Sequence, residues 1–366
     1  MQTNTRADYL IAVLPGDGIG KEVTAAGLAL LQALQPKLGR RFECTLYPAG
    51  AQHYMDSGVA LPDITLEACR RADAILFGAM GLPHVRGHDG TEIIPQLDIR
   101  FALDLYAGVR PIRTWPGLPV PLSDPRAAQI DLVLVRESTE GLFHARGRGR
   151  IEGQGEDASA YDTMKITQRG TARVCNFAFE LARQRKALGK PGHVTNVDKA
   201  NVFASMAFWR KVFVERAALY PDIGSEHAYV DAMALNLVMR PWAYDVLVTE
   251  NMFGDILSDL IAALVGGMGM APSADIGEHH ALFQPAHGTA PDIAGQGIAN
   301  PSAMLLSVAM MLDWLAVRHS DPVLTDGARA IEAALQAAFA SRAVLPRDFG
   351  GRSSTANILQ AVLERL

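Results

Sequence analysis

Two carboxylates, Asp255 and Asp259, stand four residues apart in TENMFGDILSD (residues 249–259), where an otherwise apolar helical pattern begins. Residues at i and i+4 share one helix face. Two acids stacked there repel each other and Asp is a poor helix former, so a purely structural helix has little reason to choose the pair. A hard divalent cation such as Mg²⁺ or Mn²⁺ removes the objection, because such ions take carboxylate oxygens together with substrate oxygens. The plain alternative is an acidic first turn that suits the helix macrodipole. Three arginines supply the complementary chemistry: Arg100 in LDIR, Arg110 in GVRP and Arg136 in LVRE. A guanidinium grips a carboxylate with two parallel hydrogen bonds, so converging arginines imply a polyanionic ligand, whereas each taken singly fits a surface ion pair.

Two further segments carry charge at places that matter. NVDKAN (196–201) presents Lys199 at an expected helix start, where the helix field disfavours a cation; that field, with a metal nearby, would lower its pKa and suit it to general-base work. Asp231 in YVDAMALNL opens an apolar helix, and an N-cap role is its default. PAHGTAPDIAGQGIANP (285–301) is dense in Gly, Pro and Ala and reads as a long structured loop, a kind that is functional or disordered.

The elements that must position these groups follow from periodicity. Short β-branched runs at Tyr9 to Pro15, Asp73 to Gly78, Asp131 to Glu137 and Asp245 to Glu250 alternate with helical patterns at Lys21 to Leu34, Thr167 to Leu188, Lys199 to Leu219, Pro301 to His319, Thr325 to Arg342 and Thr355 to Leu366. Such alternation predicts an α/β fold with a largely parallel sheet, whose functional groups sit beyond the strand carboxyl ends. LPGDGIG (14–20) follows a strand and opens a helix, but it lacks the full dinucleotide fingerprint and reads as a tight turn bordering a site. PIRTWPGLPVPLSDPR (111–126) holds five prolines and is expected to be a connection, not a central strand. Residues 141–162, rich in Gly and charge, read as a disordered insert or an arm reaching a partner.

Bulk properties narrow the class. At 366 residues the chain exceeds the roughly 250–300 at which single cores stop growing, so two lobes are expected. The net charge of −5 and the lack of a basic stripe argue against nucleic acid. No apolar run approaches a membrane span, and no secretory leader pattern is seen, so the expected setting is cytoplasmic. Cys44, Cys69 and Cys175, an odd set at wide spacing, read as reduced core thiols.

In order and spacing, LPGDGIG, the three arginines, DKAN, YVDAM, ENMFGDILSD and HGTAPDIAGQGIANP resemble the β-hydroxyacid oxidative decarboxylases, the isocitrate and 3-isopropylmalate dehydrogenase family, over essentially the whole chain. The resemblance implies two α/β domains that are not a Rossmann fold: residues 1–105 with 266–366 binding the cofactor, and 106–265 binding substrate and metal and dimerising through an arm at about 141–163. It implies a metal site of Asp255 and Asp259 with Asp231 from a second subunit, Lys199 from that subunit near the substrate hydroxyl, and Arg100, Arg110 and Arg136 on substrate carboxylates. The loop holding His287, Gly288, Thr289, Ala290, Asp292 and Asn300 would bind the cofactor. Asp292 followed by Ile293 resembles the NAD-using members, which agrees with a carboxylate accepting from a ribose 2′-hydroxyl and repelling a 2′-phosphate. Where the family usually places a proton-donating tyrosine, this chain has Phe143, leaving His144 or a lysine-linked water as nearest candidates. In GTEIIPQL (90–97), Ile94 and Gln96 stand near the positions that distinguish the substrate's C3 substituent, with Glu92 a neighbour, and Ile93, Ile94 and Leu97 favour an alkyl group. The expected substrate is a small hydroxy-dicarboxylate or tricarboxylate, with 3-isopropylmalate ahead of isocitrate, homoisocitrate and tartrate or D-malate, since apolar pockets discriminate by only about 1–3 kcal/mol per methylene. A non-catalytic regulatory subunit, which Phe143 alone favours, and a plain nucleotide-binding module are the readings from other classes.

Overall fold

The computed structural model describes residues 7–366. Twelve strands occur among them: β1 (Asp8–Gly16), β2 (Arg41–Leu46), β3 (Ala74–Ala79), β4 (Ala107–Arg113), β5 (Asp131–Glu137), β6 (Arg150–Glu152), β7 (Ser159–Tyr161), β8 (His193–Asp198), β9 (Gly224–Tyr229), β10 (Val246–Thr249), β11 (Pro272–Ile276) and β12 (Ala281–Pro285). Ten of them form one sheet in the order β2-β1-β3-β12-β11-β4-β5-β10-β8-β9. Its two flanks are parallel, as strand-helix alternation dictates, while β12-β11-β4-β5 run antiparallel at the centre. One flank is built from the two ends of the chain and the other from its middle, and they join where β11 pairs with β4.

The alternation of side chains along the strands sorts the interior into layers. On one face, Ile11 and Val13 of β1, Val109 of β4, Val133 and Val135 of β5, Ala274 of β11 and Phe283 of β12 join a single continuous core under the helices Gly20–Leu38, Gln168–Ala187 and Ser302–His319. On the other face the apolar packing divides in two, one part around Leu14, Phe77 and Ile99, the other around Leu134, Leu247, Leu257 and Ile261. Between those parts the central strands present Arg110, Arg136, Asp275 and Gln284, each the sequence neighbour of a residue in the continuous core. The same period of two that buries one face thus lays a polar floor on the other.

Three expectations need correction. Residues 111–113 belong to β4, a central strand, although Pro111 lacks an N–H. The ladder tolerates it because Val133, opposite Pro111, donates its N–H to Asp245 on the other side, so the position vacated by the proline faces β11, whose pairing with β4 has already ended at Val109. The connection proper starts at Thr114. The helix expected from Lys199 begins at Ala204, and the one expected from Thr325 begins at Pro322, which sits at the favoured first-turn position. Residues 141–162 hold a short 3-10 turn, Leu142–Ala145, and an antiparallel hairpin of β6 and β7 whose side chains are exposed throughout. All three cysteines are free, and burial pushes the thiols of Cys44 and Cys69 up to about 11 and about 12. No helix among the described residues is long and apolar enough to cross a membrane.

Candidate active site

A cavity of about 230 Å³ opens between the two separate apolar parts of the second face. Its floor is Arg110, Arg136 and Gln284; one wall is Ile94, Gln96, Leu97 and Arg100 with Met80; the opposite wall is Asp255, Ser258 and Asp259. His287, Gly288 and Phe143 close the rim. Residues from sequence positions 77 to 288 therefore meet around one space.

Helix geometry puts the two aspartates there. Glu250 caps the helix Asn251–Leu264 by accepting from the N–H groups of Met252 and Phe253, and Asp255 and Asp259 follow on one face, one turn apart. Gly254 lets this helix lie against β5: a β-carbon there would stand 2.7 Å from both Cβ and Cγ of Arg136. Arg136 donates from Nε to Asn251 Oδ1 at 2.8 Å and from Nη1 to Asp255, and its guanidinium stacks on the Phe143 ring at 4.9 Å. Burial draws the Arg136 pKa down to about 10, opposed by Asp255 and reinforced by Arg100 and Arg110. Asp259 is pushed up, first by burial and next by the Asp255 charge. Arg110 and Arg136 offset only part of this, and a hard cation would offset the rest, so the donor chemistry here fits a divalent metal. Two buried polar atoms at this cavity, Gln96 Oε1 and His287 Nε2, have no hydrogen-bond partner among the described residues, as expected of groups that meet a ligand.

The loop of residues 286–300 borders the cavity and contains neither helix nor strand. Thr289 pins it: its carbonyl accepts from Ile19 N–H at 2.8 Å, and its hydroxyl donates to Gly81 O at 2.7 Å. Gly18, at φ +52, is obligatory in that contact, because a β-carbon would sit 2.1 Å from Thr289 O. The LPGDGIG turn thus abuts the loop. Ala290 adopts a positive φ of 36 and Asp292 is exposed. Asn300 is engaged locally, donating to Asp348 and accepting from Ser302 N–H at the start of the helix Ser302–His319.

Lys199 and Asp231 lie apart from the cavity and with each other, Nζ to Oδ1 at 2.5 Å, on an exposed surface where Lys199 holds the Asp231 carboxyl below its ordinary value. Lys199 occupies a turn five residues before Ala204, so the helix-field argument for it lapses. Asp231 is the second residue of the helix Val230–Met239, whose cap is Tyr229, so it is not an N-cap. Among the described residues no three His, Cys, Asp or Glu side chains gather as a metal site. His144 is removed from the cavity: it lines a separate depression with Lys165, Arg169 and Arg173, its Nε2 is 2.7 Å from Arg148, and burial followed by Arg148 and Lys165 drives its pKa down. Ile93 turns into a small apolar cluster with Ala51, Leu82 and Val85, and Glu92 faces Arg86. Sequence reasoning missed Asn251, Gln284 and Asp275; the last lies within a strand too short and mixed to be recognised, yet Asp275 is fully buried.

The family profile of isocitrate/isopropylmalate dehydrogenases matches residues 10–362. A 3-isopropylmalate/3-methylmalate dehydrogenase of Methanocaldococcus jannaschii is 41% identical over 359 residues, 98% of this chain and 99% of that protein. A 3-isopropylmalate dehydrogenase of Streptococcus pneumoniae is 41% identical over 362 residues, covering 97% and 99%. Among solved structures, an isocitrate dehydrogenase from Methylococcus capsulatus superposes with a TM-score of 0.86 at 35% identity, covering 98% of this chain and 99% of that one.

Proposed function

This chain is a decarboxylating dehydrogenase that belongs to the isocitrate/isopropylmalate dehydrogenase family, and on that premise we propose that it oxidises and decarboxylates 3-isopropylmalate, using NAD⁺ and Mg²⁺ or Mn²⁺. The observation that carries this reading is the single cavity in which three buried arginines face two paired aspartates beside an apolar edge of Ile94, Leu97 and Met80. Guanidinium groups for carboxylates, acids for a cation and an alkyl-lined edge are the complement of a branched 2-hydroxy dicarboxylate.

Arg100, Arg110 and Arg136 hold the two carboxylates, and Arg136 is kept in orientation by Asn251 and the Phe143 ring. Asp255 and Asp259 hold the cation, with Asp231 of a second copy as the third acid. A cation bound there would supply polarisation of the substrate's oxygen and a bound nicotinamide a hydride acceptor for C2, which together would prepare the β-carboxylate for loss. Lys199 of that second copy, or a water bound to its Nζ, takes the substrate's hydroxyl proton. Final protonation of the product carbon falls to a water held by that lysine, since Phe143 has no proton to give and His144 faces elsewhere. His287, Gly288, Thr289, Ala290 and Asn300 shape the cofactor loop, and exposed Asp292 selects a free ribose 2′-hydroxyl over a 2′-phosphate.

Residues 1–105 with 266–366 form the cofactor domain and 106–265 the substrate domain, a division supported by the two flanks of the sheet. A homodimer with shared sites accounts for two otherwise unrelated features. Lys199 and Asp231 lie outside the cavity, and the packed helices Val230–Met239 and Asn251–Leu264 expose the apolar side chains Leu235, Val238, Met239 and Ile256, which suits an interface. The β6-β7 hairpin is the arm that clasps the partner. An isocitrate-specific enzyme is the second reading, favoured by the fold likeness to the Methylococcus capsulatus protein. Purified protein with NAD⁺ and Mn²⁺ is to be assayed for NADH and CO₂ against 3-isopropylmalate, isocitrate, homoisocitrate, D-malate and tartrate. Stoichiometric NADH and CO₂ from 3-isopropylmalate is the expected result. Preference for another acid reassigns the substrate, and silence across the panel with NAD⁺ still binding points to a regulatory subunit.

A further inference from the structure

Asp275 is buried completely in the middle of β11, behind the arginines of the cavity and outside its lining. Its Oδ2 accepts from Arg100 Nε at 2.9 Å and from Gln284 Nε2 at 3.2 Å, with Arg100 Nη2 also at 2.9 Å. Its Oδ1 faces Arg110 Nη2 at 3.5 Å, while Arg110 Nη1 donates to the carbonyls of Val109 and Ala274. Burial alone would lift the Asp275 carboxyl, but Arg100, Arg110 and Arg136 together hold it below the ordinary carboxylate range, so it is an anion at neutral pH. Gly108, paired across from it, leaves the space: a β-carbon there would come within 3.2 Å of Asp275 Oδ1.

We propose that Asp275 is a positioning and specificity-determining residue, which holds Arg100 and Arg110 from behind and cancels one of the three guanidinium charges so that the cavity accepts two substrate carboxylates and disfavours a third. The proposal rests on the functional reading above and sharpens it to dicarboxylates such as 3-isopropylmalate over tricarboxylates such as isocitrate. The other charges at the site leave this balance unchanged. A divalent cation is matched by Asp255 and Asp259, and Lys199 and Asp231 are already an ion pair. Glu137, which ends β5, and Glu250, which caps the helix after β10, are buried but turn onto backbone N–H groups and do not line the cavity. Arg136 is paired with Asp255 here, and once a cation takes over that carboxylate two guanidinium charges are left to face the ligand. A third carboxylate brought into this desolvated space lacks a counter-charge, and an unpaired buried ion is costly. Asp275 also uses the Nε and Nη2 edge of Arg100, which leaves the Nη1 hydrogens and the second Nη2 hydrogen for substrate.

The test uses the full-length protein with Mn²⁺ and NAD⁺. The values of kcat and KM are measured for 3-isopropylmalate and isocitrate in wild type, Asp275→Asn and Asp275→Glu, alongside calorimetric binding of both acids with Mn²⁺ in the absence of NAD⁺. Asp275→Asn is expected to move the ratio of kcat/KM values toward isocitrate by roughly tenfold or more, chiefly through KM, and Asp275→Glu to restore the wild-type ratio. Equal losses toward both acids, or an unmoved ratio, overturn the proposal, since a purely structural role predicts no change in preference. If Asp275→Asn does not fold, the wild type still decides: tighter binding of isocitrate than of 3-isopropylmalate overturns it. Turnover failing while 3-isopropylmalate binds more tightly sinks the functional reading and leaves the charge assignment standing; binding of neither acid overturns both.

Discussion

The cavity and the surface around Lys199 are made from the same residue types and differ in everything that physics cares about. At the cavity, Arg100 and Arg110 are buried and interlocked with Asp275 behind them, so each of these guanidinium groups is held in place before any ligand arrives. At the surface, Lys199 and Asp231 pair in the open, where an ion pair contributes little, and apolar residues near them in sequence, Val202, Phe203 and Leu235, are exposed. The first region is finished within one chain. The second makes sense only against another body, and the proposed shared site supplies one. A catalytic apparatus divided this way keeps its anion-binding half rigid and makes the proton-handling half conditional on assembly.

Substitutions inside the cavity test that contrast most severely. Asp255→Asn removes half of the chain's own cation pair, and kcat/KM is expected to fall by at least about a thousandfold, the loss of several kcal/mol of charge stabilisation. Rates over a Mn²⁺ titration, with Mn²⁺ binding followed by electron paramagnetic resonance, read the effect. A variant whose rate and Mn²⁺ affinity both match wild type would remove Asp255 from the metal site.

Complementation sharpens the division between the regions. Lys199→Met and Asp255→Asn are each expected to be nearly inactive, yet a co-folded mixture regains activity if the two residues serve one site from different chains. Random pairing makes half the dimers mixed, each with one intact site, so recovery approaches about a quarter of wild type. A mixture as inactive as its parents would place Lys199 in its own chain's site or outside catalysis.

A smaller effect is expected at the apolar surface itself. Leu235 is 64% exposed on a helix whose inward residues, Met233 and Leu237, are fully buried. Leu235→Asp should leave the fold intact and weaken association by roughly tenfold or more, the cost of placing a charge in a buried interface. Sedimentation velocity at micromolar concentration measures it, and an unchanged sedimentation coefficient at every dilution would leave this helix outside the interface.

How much of this was legible in the sequence depended on whether the signal was local. The helix bearing Asp255 and Asp259 announces itself through its period, and it starts one residue after the expected strand ends, although the capping role of Glu250 was not read there. The loop of residues 286–300 was visible because Gly and Pro forbid regular structure there. Arg136 could be recognised as a charge closing an apolar strand and Arg110 only as a charge beside a proline-rich break, and nothing local reveals that β4 and β5 lie side by side at the sheet's centre, or that Pro111 falls where a neighbour has ended. Asp275 was illegible for the same reason: β11 is five residues long, and its meaning comes from β4 and from Arg100, a helix 175 residues away in sequence. Lys199 was placed wrongly because NVDKAN was read as a helix start, whereas the chain makes a turn before the helix begins at Ala204, with Phe203 as its N-cap. Periodicity finds elements; it does not find which elements become neighbours.

The smallest effect separates two carboxylates buried to the same depth beside this cavity. Asp275 is held low by arginines, whereas Glu137 has only the N–H and hydroxyl of Thr139 and the N–H of Glu140, and burial pushes it up to about 7. The native state therefore keeps a proton that the unfolded chain, with Glu137 near 4.5, gives up. A raised folded pKa means that stability from this group is full below about pH 4.5 and is lost as pH rises through about 7. Asp275 acts in the opposite sense, its contribution disappearing only in acid, outside that window. Glu137→Gln cannot titrate, so the fall in Tm between pH 5 and pH 8 should be shallower than in wild type by a few degrees, whatever the change in absolute Tm. Asp313, pushed up to about 6 by burial and Glu332, slopes the same way in both proteins and cancels from the difference. Parallel Tm curves for the two proteins would mean that Glu137 is ionised in the fold, and that amide donors alone hold a buried charge as well as arginines do.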